Sequence, residues 1–360
     1  MKKSANRKKT RVVKIGNIKI GGRNLIAVQS MAKTDPHNIN ETIKQIRRLE
    51  KDGCELIRVA VPDGEAAKKL SKIKEGIHIP LIADIHYDYK LAIESVKQDV
   101  QKIRINPGNI GARWKVEEIV KVCKERDIPI RVGGNTGSIK EKYLTQFGGP
   151  TAQALVESVL NELNIIESMG FESIVVSLKS SNVRTMIEAN RLFSLVRDYP
   201  LHLGVTEAGP PGRGEVLSAV GIGTLLAEGL GDTIRVSLTC DPVKEVTVAY
   251  SILRALGLRT MGPRIISCPT CGRLEFDMER VLGEIEKRVE KIKEPLTIAV
   301  MGCSVNGPGE AKEADIGVAG GKNSAVIFKK GKIVATAQEK DIIEVFLSEL
   351  NTLIEEDIWR

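Results

Sequence analysis

Three cysteines near the end of the chain have the spacing of ligands for a metal centre. Cys268 and Cys271 are two residues apart, so that one turn of backbone can direct both sulfur atoms at the same metal. Cys303 follows the apolar segment 296–300 and opens a loop rich in glycine and proline, where the backbone can turn tightly around a bulky group. A structural zinc site normally has four Cys or His ligands, whereas this part of the chain has no histidine.

The fourth ligand of such a centre could be a carboxylate. Glu310 lies seven residues after Cys303 and is the obvious candidate. An iron–sulfur cluster is usually held by four cysteines, so three thiolates and one oxygen ligand, or an open iron, would suit a cluster that takes part in chemistry. Two other interpretations of Cys268 and Cys271 stay open, namely a redox-active disulfide and a pair of thiols in the core.

A second group of chemically interesting residues consists of basic side chains in apolar segments. Four segments carry an arginine between two β-branched residues, and these arginines are Arg58, Arg104, Arg131 and Arg235. Side chains alternate between the two faces of a strand, so arginines whose neighbours face outward must point inward. By the same alternation the inner face also carries Asn106, Asn135, Lys179 and Ser237.

This inner face carries more positive than negative charge. Only Asp84 and Glu207 are carboxylates at matching positions, and two acids cannot neutralise five cations. A purely structural interpretation would pair the arginines with barrel carboxylates, but an unpaired buried charge is costly. The excess therefore predicts a bound polyanion, and arginine suits phosphate because it can donate two hydrogen bonds at once. His86 and Glu207 are the candidates for proton transfer, although His86 could equally be a ligand contact.

The elements that must position these residues follow a β/α rhythm. Apolar strand segments are predicted at 25–28, 56–60, 81–85, 102–105, 128–132, 173–178, 201–205 and 233–238. Helical segments are predicted at 39–51, 65–74, 116–125, 152–169, 184–197, 214–228 and 243–256. Eight strands that alternate with helices indicate a (β/α)8 TIM barrel of class α/β, whose active sites lie at the carboxyl ends of the strands. An open doubly wound sheet is less favoured, because no glycine-rich phosphate loop follows the first strand.

The rhythm changes after residue 257. A strand at 264–267, a helix at 275–293, strands at 296–300 and 316–319, a hairpin at 325–336 and a helix at 340–354 predict a small α+β domain. The predicted division is a frayed basic tail at 1–11, a barrel at 12–257 that begins with a hairpin, a linker at 258–263 and the second domain at 264–360.

Composition narrows the functional classes. The chain has 360 residues, a formal net charge of +8 and 4% aromatic residues, and it shows no motif for stacking on bases, which argues against nucleic acid and favours a small anionic substrate. No apolar run reaches the ~18 residues of a membrane span, and the basic start lacks the apolar core of a secretory signal. Six cysteines, three of them clustered, suit the reducing cytoplasm better than a disulfide framework.

From about Lys14 to its end the chain resembles the bacterial (E)-4-hydroxy-3-methylbut-2-enyl diphosphate synthases of the methylerythritol phosphate pathway. The motifs Cys-Pro-Thr-Cys-Gly-Arg at 268–273 and Met-Gly-Cys-Ser-Val-Asn-Gly-Pro-Gly-Glu at 301–310 carry the likeness most specifically. The resemblance implies a 4Fe-4S cluster held by Cys268, Cys271, Cys303 and Glu310. It also implies a dihydropteroate synthase type of barrel, and a second domain like the cluster domain of sulfite and nitrite reductases.

The resemblance further implies a substrate site and a reaction. The family's diphosphate-binding cations match Arg58, Arg104, Arg131, Lys179 and Arg235, with His86, Asn106, Asn135 and Ser237 alongside. Asp84 and Glu207 complete the predicted substrate site. The implied reaction is a two-electron reductive opening and dehydration of 2-C-methyl-D-erythritol 2,4-cyclodiphosphate, with electrons from reduced flavodoxin or ferredoxin. The catalytic residues would be Glu310, Glu207 and His86, in a homodimer whose active sites are shared between chains. The alternative is a non-redox barrel transferase that acts on a diphosphate ester and has a structural metal site.

Overall fold

The chain folds into two compact units. In a computed structural model, which describes residues 7–289, 292–303, 313–321 and 324–358, the division falls between Arg259 and Thr260. Each unit has its own sheet, of eight strands in the first and five in the second, and a separate two-stranded hairpin precedes the larger sheet. The predicted combination of a TIM barrel with a small mixed α/β domain is confirmed.

The first unit is the barrel. Its parallel strands are β3 (Ala27–Met31), β4 (Leu56–Ala60), β5 (Leu81–Asp84), β6 (Lys102–Ile105), β7 (Ile130–Asn135), β8 (Ile174–Lys179), β9 (His202–Leu203) and β10 (Thr233–Ile234). They are hydrogen-bonded in the order β8-β7-β6-β5-β4-β3-β10-β9, and a parallel bridge between Val176 and Leu201 joins β8 to the start of β9. The ring therefore closes, although β9 and β10 are shorter than the predicted segments.

An antiparallel hairpin covers one end of this barrel. Strands β1 (Val13–Ile15) and β2 (Ile18–Ile20) pair with Val13 opposite Ile20. Three buried hairpin residues pack against side chains from the first half of four barrel strands, and this cluster consists of Val13, Ile15, Ile20, Ala27, Leu56, Ile82 and Val175. The amino-terminal end of the barrel is thus filled with apolar side chains, and the carboxyl ends of the strands form the opposite, polar end.

Helices connect the barrel strands. They are α1 (Ile39–Lys51), α2 (Gly64–Glu75), α3 (Tyr89–Lys97), α4 (Pro107–Ile110), α5 (Arg113–Glu125), α6 (Glu141–Phe147), α7 (Ala152–Glu167), α8 (Val183–Val196), α9 (Arg213–Ala227) and α10 (Pro242–Ala255). Short polar residues such as Asn38, Asp63, Asp88 and Asp241 accept hydrogen bonds from the first backbone N–H groups of the helices that follow them. In the described part of the chain, no helix has both the length and the apolar character needed to cross a membrane.

The prediction of a frayed amino-terminal tail is wrong for residues 7–11, which pack on the barrel. The Arg7 guanidinium forms an ion pair of 3.1 Å with the buried carboxylate of Asp232. The hydroxyl of Thr10 and the backbone N–H of Leu201 donate to the same carboxylate, at 3.1 and 3.0 Å. Sequence composition suggested solvation because the segment is basic, but its cations have specific acceptors in the barrel loops.

The second unit is a five-stranded mixed sheet with helices. Its elements are β11 (Arg264–Ser267), α11 (Met278–Val289), β12 (Thr297–Met301), β13 (Ile316–Gly321), β14 (Ser324–Lys329), β15 (Lys332–Gln338) and α12 (Ile342–Ile358). Strands β11, β12 and β13 are parallel, whereas β13, β14 and β15 are antiparallel. The predicted turn at Lys330 and Gly331 is present, with positive φ angles of 47° and 78° at the two residues.

Candidate functional sites

The first site is built around a buried carboxylate inside the barrel. Asp84 ends β5, and its side chain lies between arginines from the two neighbouring strands. Arg104 Nη1 lies 3.1 Å from Asp84 Oδ1, and Arg58 Nε lies 3.5 Å from Asp84 Oδ2. Burial opposes ionisation, but Arg58, His86 and Arg104 together hold the pKa of Asp84 well below its usual range. The carboxylate therefore stays ionised and fixes two of the predicted cations.

Arg131 and Lys179 form no ion pair with an acid among the described residues. Arg131 is 1% exposed, and neither its Nε nor its Nη1 has a hydrogen-bond partner among the described protein groups. Burial lowers the pKa of Lys179, and the charges of Arg131, Arg235 and Arg58 lower it further, which places these four side chains in one electrostatic group. The structure thus gathers the predicted basic residues at one site and leaves a surplus of positive charge there.

Gly133 and Gly204 leave room for the side chains of Arg104 and Lys179. A Cβ atom at Gly133 would lie 3.1 Å from Arg104 Nε and 3.0 Å from the hydroxyl oxygen of Ser177. A Cβ atom at Gly204 would lie 2.8 Å from Lys179 Nζ and 2.5 Å from the backbone oxygen of Arg235. A side chain at Gly204 would collide with the backbone of Arg235 and with Lys179, and one at Gly133 would crowd Arg104. The sequence reading did not identify these positions, since a glycine in a strand has several common explanations.

Besides Asp84, the acid that pairs with the barrel cations is Glu245 on α10. The prediction that Glu207 is the second such acid is wrong. Glu245 is 2% exposed, and its Oε2 lies 3.8 Å from Arg235 Nη2. Its Oε1 lies 3.0 Å from Lys33 Nζ and accepts a hydrogen bond of 3.0 Å from the backbone N–H of Leu238. Glu207 is exposed, has a positive φ of 55°, and takes part in none of the ion pairs between described residues. Alternation along strands could not identify Glu245, because it lies on a helix.

The remaining predicted barrel residues lie at or beyond the carboxyl ends of the strands. His86 Nε2 lies 3.5 Å from Asp84 Oδ2, and the His86 side chain is about half exposed. Asn106 is buried, and Asn135 ends β7; both line a small cavity that also includes Gly133 and Ser138. Ser237 is half-buried, three residues after β10. The predicted polar groups therefore surround the same end of the barrel as the cations.

Two buried basic residues inside the barrel were missed. Lys102 is the first residue of β6 and His202 is the first of β9, and both are fully buried. Neither Lys102 Nζ nor His202 Nε2 has a hydrogen-bond partner among the described protein groups. Lys102 stands two residues before Arg104, so the alternation that identified the arginine could also have identified the lysine.

The second site is at one edge of the smaller sheet. Cys268 follows β11 and Cys303 follows β12, and these strands are parallel neighbours in which Ser267 is paired with Val300. The backbone N–H of Gly302 donates a hydrogen bond of 3.3 Å to Cys268 Sγ. Cys303 is buried and Cys271 is exposed. Parallel pairing is thus what brings thiols 35 residues apart in sequence to the same edge.

An arginine of the first cysteine motif lies close to two of the thiols. Hydrogen bonds from the backbone and side chain of Arg273 lower the pKa of Cys271. In turn, the side-chain hydrogen bond to Cys271 raises the pKa of Arg273, and the charges of Cys271 and Cys303 raise it further. A cation and a backbone N–H beside sulfur favour thiolates, which are the form that binds metals.

Close backbone packing surrounds the thiols. A Cβ atom at Gly320 in β13 would lie 2.5 Å from the backbone oxygen of Gly302 and 3.2 Å from the backbone nitrogen of Cys303. A Cβ atom at Gly302 would collide with the side chain of Leu274. The two glycines therefore let β13 and the loop after β11 pack directly on the segment that carries Cys303.

The donor set suits a thiolate-bound iron or zinc centre. Among residues 7–289, 292–303, 313–321 and 324–358, no three Cys, His, Asp or Glu side chains are close enough together to hold a metal ion in this conformation. The fourth predicted ligand, Glu310, lies outside the described residues. The fit therefore rests on the chemistry of the three thiols, their common sheet edge and the nearby Arg273.

Comparison with known proteins gives the family. The model of the GcpE TIM-barrel domain matches residues 10–250, and that of the GcpE protein C-terminal domain matches residues 264–352. The chain belongs to the GcpE family. The resemblance inferred from the cysteine motifs and the inward arginines is thereby confirmed, and the family's two domains account for both units of the structure.

Close relatives of this GcpE family chain carry a common name. A protein of Caldanaerobacter subterraneus subsp. tengcongensis, named 4-hydroxy-3-methylbut-2-en-1-yl diphosphate synthase (flavodoxin), is 56% identical over 98% of this chain and 99% of its own. A protein of Clostridium perfringens with the same name is 53% identical over 97% of this chain and 100% of its own.

Solved structures resemble the barrel. The dihydropteroate synthase of Vibrio fischeri has a TM-score of 0.51 at 15% identity, over 69% of this chain and 98% of its own. That of Xanthomonas albilineans has a TM-score of 0.50 at 12% identity, over 69% of this chain and 99% of its own. At these identities the likeness concerns the fold, and it agrees with the predicted type of barrel.

The contacts of Glu245 lead to a prediction about stability. Glu245→Ala should lower the free energy of unfolding by about 3 kcal/mol, because it removes the carboxylate that faces buried Arg235 and accepts from Leu238. Urea unfolding followed by circular dichroism measures this. Glu215→Ala is the matched control: Glu215 pairs with Lys244 at 3.5 Å on the surface, and its loss should cost less than about 1 kcal/mol. Equal losses in the two variants would contradict a special role for Glu245.

Proposed function

We propose that this chain catalyses the reaction for which its relatives are named. It opens 2-C-methyl-D-erythritol 2,4-cyclodiphosphate reductively and forms (E)-4-hydroxy-3-methylbut-2-enyl diphosphate and water, as an oxidoreductase of isoprenoid precursor biosynthesis. The observation that carries this proposal is 56% identity over 98% of the chain to a protein of that name. The surplus of buried positive charge in the barrel supports it independently, since a diphosphate is the kind of ligand that such a site would bind.

The barrel cations bind the diphosphate in this proposal. Arg58, Arg104, Arg131, Lys179 and Arg235 neutralise the phosphate oxygens, while Asn106, Asn135, Ser237 and His86 donate further hydrogen bonds. Asp84 is a positioning residue, because its contacts of 3.1 and 3.5 Å with Arg104 and Arg58 fix their guanidinium groups before the ligand arrives. A site whose donors are already oriented does not have to reorganise when charge develops on the phosphate.

His86 and Glu207 supply protons in this proposal. They follow the carboxyl ends of β5 and β9, and both are more exposed than the arginines. That exposure gives them access to solvent protons, which the buried cations lack. The oxygen that leaves the substrate as water needs a proton, and His86 and Glu207 are the titratable groups that we assign to it.

A 4Fe-4S cluster would be held by Cys268, Cys271, Cys303 and Glu310. When bound, such a cluster supplies electrons and a Lewis acid for the departing oxygen. A carboxylate is a weaker and more exchangeable iron ligand than a thiolate, so Glu310 would be the most easily exchanged of the four ligands. Arg273 lowers the pKa of Cys271 and so favours the thiolate form that binds metal. Reduced flavodoxin is the proposed electron donor, as the names of the relatives indicate, with ferredoxin as the alternative.

The six cysteines suit a location in the cytoplasm. All six are free thiols, and two of them, Cys54 and Cys123, are buried in the barrel unit. Free thiols persist in reducing compartments. We therefore place the enzyme in the cytoplasm, where a flavodoxin or ferredoxin can also reach it.

The cluster proposal predicts the effect of removing each thiol. Cys268→Ser, Cys271→Ser or Cys303→Ser should abolish iron binding and reduction of the cyclodiphosphate, because an un-ionised hydroxyl is a poor iron ligand. Glu310→Ala should keep part of the iron and lose activity. Iron and sulfide analysis of anaerobically purified protein, together with the reduction assay, measures both effects.

The half-buried thiol of Cys240, which lies in the barrel unit, provides the control, so Cys240→Ser should keep its iron and its activity. Full iron and normal turnover in any of the three cysteine variants would exclude that residue as a ligand. Colourless wild-type protein with stoichiometric zinc would instead favour a non-redox transferase with a structural metal site.

The barrel proposal predicts that affinity and stability respond differently to loss of an arginine. Arg104→Leu or Arg131→Leu should weaken diphosphate binding by about 1.5–3 kcal/mol, the contribution of a charged hydrogen bond. Arg131→Leu should leave thermal stability unchanged or slightly raised, since Arg131 lies among cations and Nε and Nη1 lack partners in the described structure. Arg113→Leu, on the exposed surface of α5, is the control. Lower stability with unchanged affinity would make the arginines structural.

We also propose a homodimer in which each active site uses both chains. The barrel unit ends at Arg259, whose Nη1 donates to the backbone oxygen of Ile26 at 2.9 Å and to Glu55 Oε2 at 2.6 Å. Both acceptors precede the barrel strands β3 and β4, so the chain leaves the barrel at the end opposite the arginines. The seven residues 257–263 span at most about 25 Å. The cluster domain of a second copy can reach the arginines without doubling back around the barrel.

Complementation tests this dimer. Cys303→Ser should be inactive, and Arg104→Leu should be nearly inactive at substrate concentrations too low for its weakened affinity. Subunit exchange between them should restore one working site per heterodimer. The measurement is reduction activity after exchange, with heterodimers verified by two different affinity tags. Homodimers of each variant taken through the same exchange are the controls. Verified heterodimers without activity would contradict shared sites.

A further inference from the structure

Lys102 is a buried basic residue that has no role in the diphosphate site proposed above. It is the first residue of β6, pairs in register with Ile82 of β5, and shares the inner face with Arg104 two residues further along. Its side chain is fully buried, and its Nζ has no hydrogen-bond partner among the described protein groups. Lys102 therefore lies between the apolar amino-terminal end of the barrel and the arginines.

Within the described part of the chain, the groups that interact electrostatically with Lys102 are basic. They are Arg58 from β4, Arg131 from β7 and His202 from β9. The two acids of the barrel interior contact other residues: Asp84 contacts Arg58, Arg104 and His86, and Glu245 contacts Arg235 and Lys33. Burial lowers the pKa of Lys102 well below its usual value, and the charges of Arg131 and Arg58 lower it further. The amine is therefore neutral in the free protein over a pH range where an exposed lysine is charged.

We propose that Lys102 takes up a proton when a diphosphate binds at the carboxyl end of the barrel, and so acts as an adjustable cation beside the fixed charges of the arginines. The charge of the arginines is fixed, because arginine does not lose its proton in proteins. A polyanion above Arg58 and Arg131 offsets their repulsion of a charged Lys102. The free energy of protonating the lysine then falls, and proton uptake becomes part of ligand binding.

Proton uptake by Lys102 would matter in catalysis because the substrate gains negative charge during the reaction. This argument rests on the proposed function. Two electrons enter from the reduced donor, and the ring bond between carbon and phosphate oxygen breaks with its electron pair on that oxygen. The hydroxyl group leaves with a proton as water. The opened diphosphate then has one more ionisable oxygen than the cyclic one. A lysine that gains a proton raises the positive charge of the site when the ligand gains negative charge. Arginines, whose charge is fixed, cannot do this.

The direction of the pH dependence follows from the linkage between binding and protonation. Ligand binding raises the pKa of Lys102, so the lysine contributes to affinity below its pKa in the complex. That contribution is lost as the pH rises through this pKa. Each unit by which the ligand raises the pKa corresponds to about a tenfold gain in affinity at the acid end of the range.

The experiment uses inorganic pyrophosphate and the intact chain. Isothermal titration in buffers with different ionisation enthalpies, at one pH, gives the number of protons taken up on binding. Lys102→Met should lose most of the uptake seen in the wild type, and its affinity should depend less steeply on pH. Lys97→Met, at an exposed position of α3, is the matched control and should behave like the wild type. Protonation of pyrophosphate itself is common to all variants and cancels in the comparison.

A second variant keeps the test decisive if Lys102→Met does not fold. Lys102→Arg is permanently charged, so it should also lose the uptake. Wild-type uptake in either variant would overturn the proposal and point to Lys179 or His202. A wild type that does not bind pyrophosphate would also overturn it. Binding with uptake in a chain that cannot reduce the cyclodiphosphate would refute the proposed function and leave Lys102 as the proton acceptor of an anion site.

Discussion

Positive charge held inside the barrel is the constraint on which the rest of the first unit depends. Arg58, Arg104, Arg131 and Arg235 are largely buried and repel one another, and unpaired charges there would destabilise the fold. Asp84 offsets part of this repulsion through contacts of 3.1 and 3.5 Å with two of the arginines. The apolar hairpin and core supply the stability that lets the remaining repulsion persist. The repulsion is what makes the site attract a polyanion.

The barrel holds these cations by backbone pairing and by space. In-register pairing of β5 with β6 sets Asp84 beside Arg104, and pairing of β6 with β7 sets Arg104 beside Arg131. Gly133 and Gly204 leave room where a side chain would collide with Arg104 or Lys179. Lys33, in the loop after β3, forms an ion pair with Glu245 and donates to backbone oxygens in the loop after β10. These contacts connect the loops that follow the first and the last barrel strand. The positions of the charged groups are therefore a property of the whole ring, whose neighbouring strands must keep their register.

The second unit uses the same principle for a different chemistry. Parallel pairing of β11 with β12 brings the ends of two strands together, and with them Cys268 and Cys303. The backbone N–H of Gly302 donates to the sulfur of Cys268, and Gly320 lets β13 pack closely against the backbone of Gly302 and Cys303. Arg273 adds positive charge beside Cys271. Both units thus place reactive groups where parallel strands end, the edge at which side chains from distant parts of the sequence meet.

The sequence by itself determined the elements and much of the site. The apolar periodicities of strands and helices predicted the barrel, and alternation along the strands predicted the inward arginines. The cysteine spacing predicted the thiol site. Each of these patterns extends over only a few residues, so it can be recognised in the sequence. Tertiary structure alone decided which groups touch. Glu245 reaches Arg235 from a helix, residues 7–11 find acceptors on distant loops, and Glu207 turns out to be exposed. Alternation tells which face a side chain occupies, but ion pairs depend on distances across the barrel, and those are set only when all eight strands close.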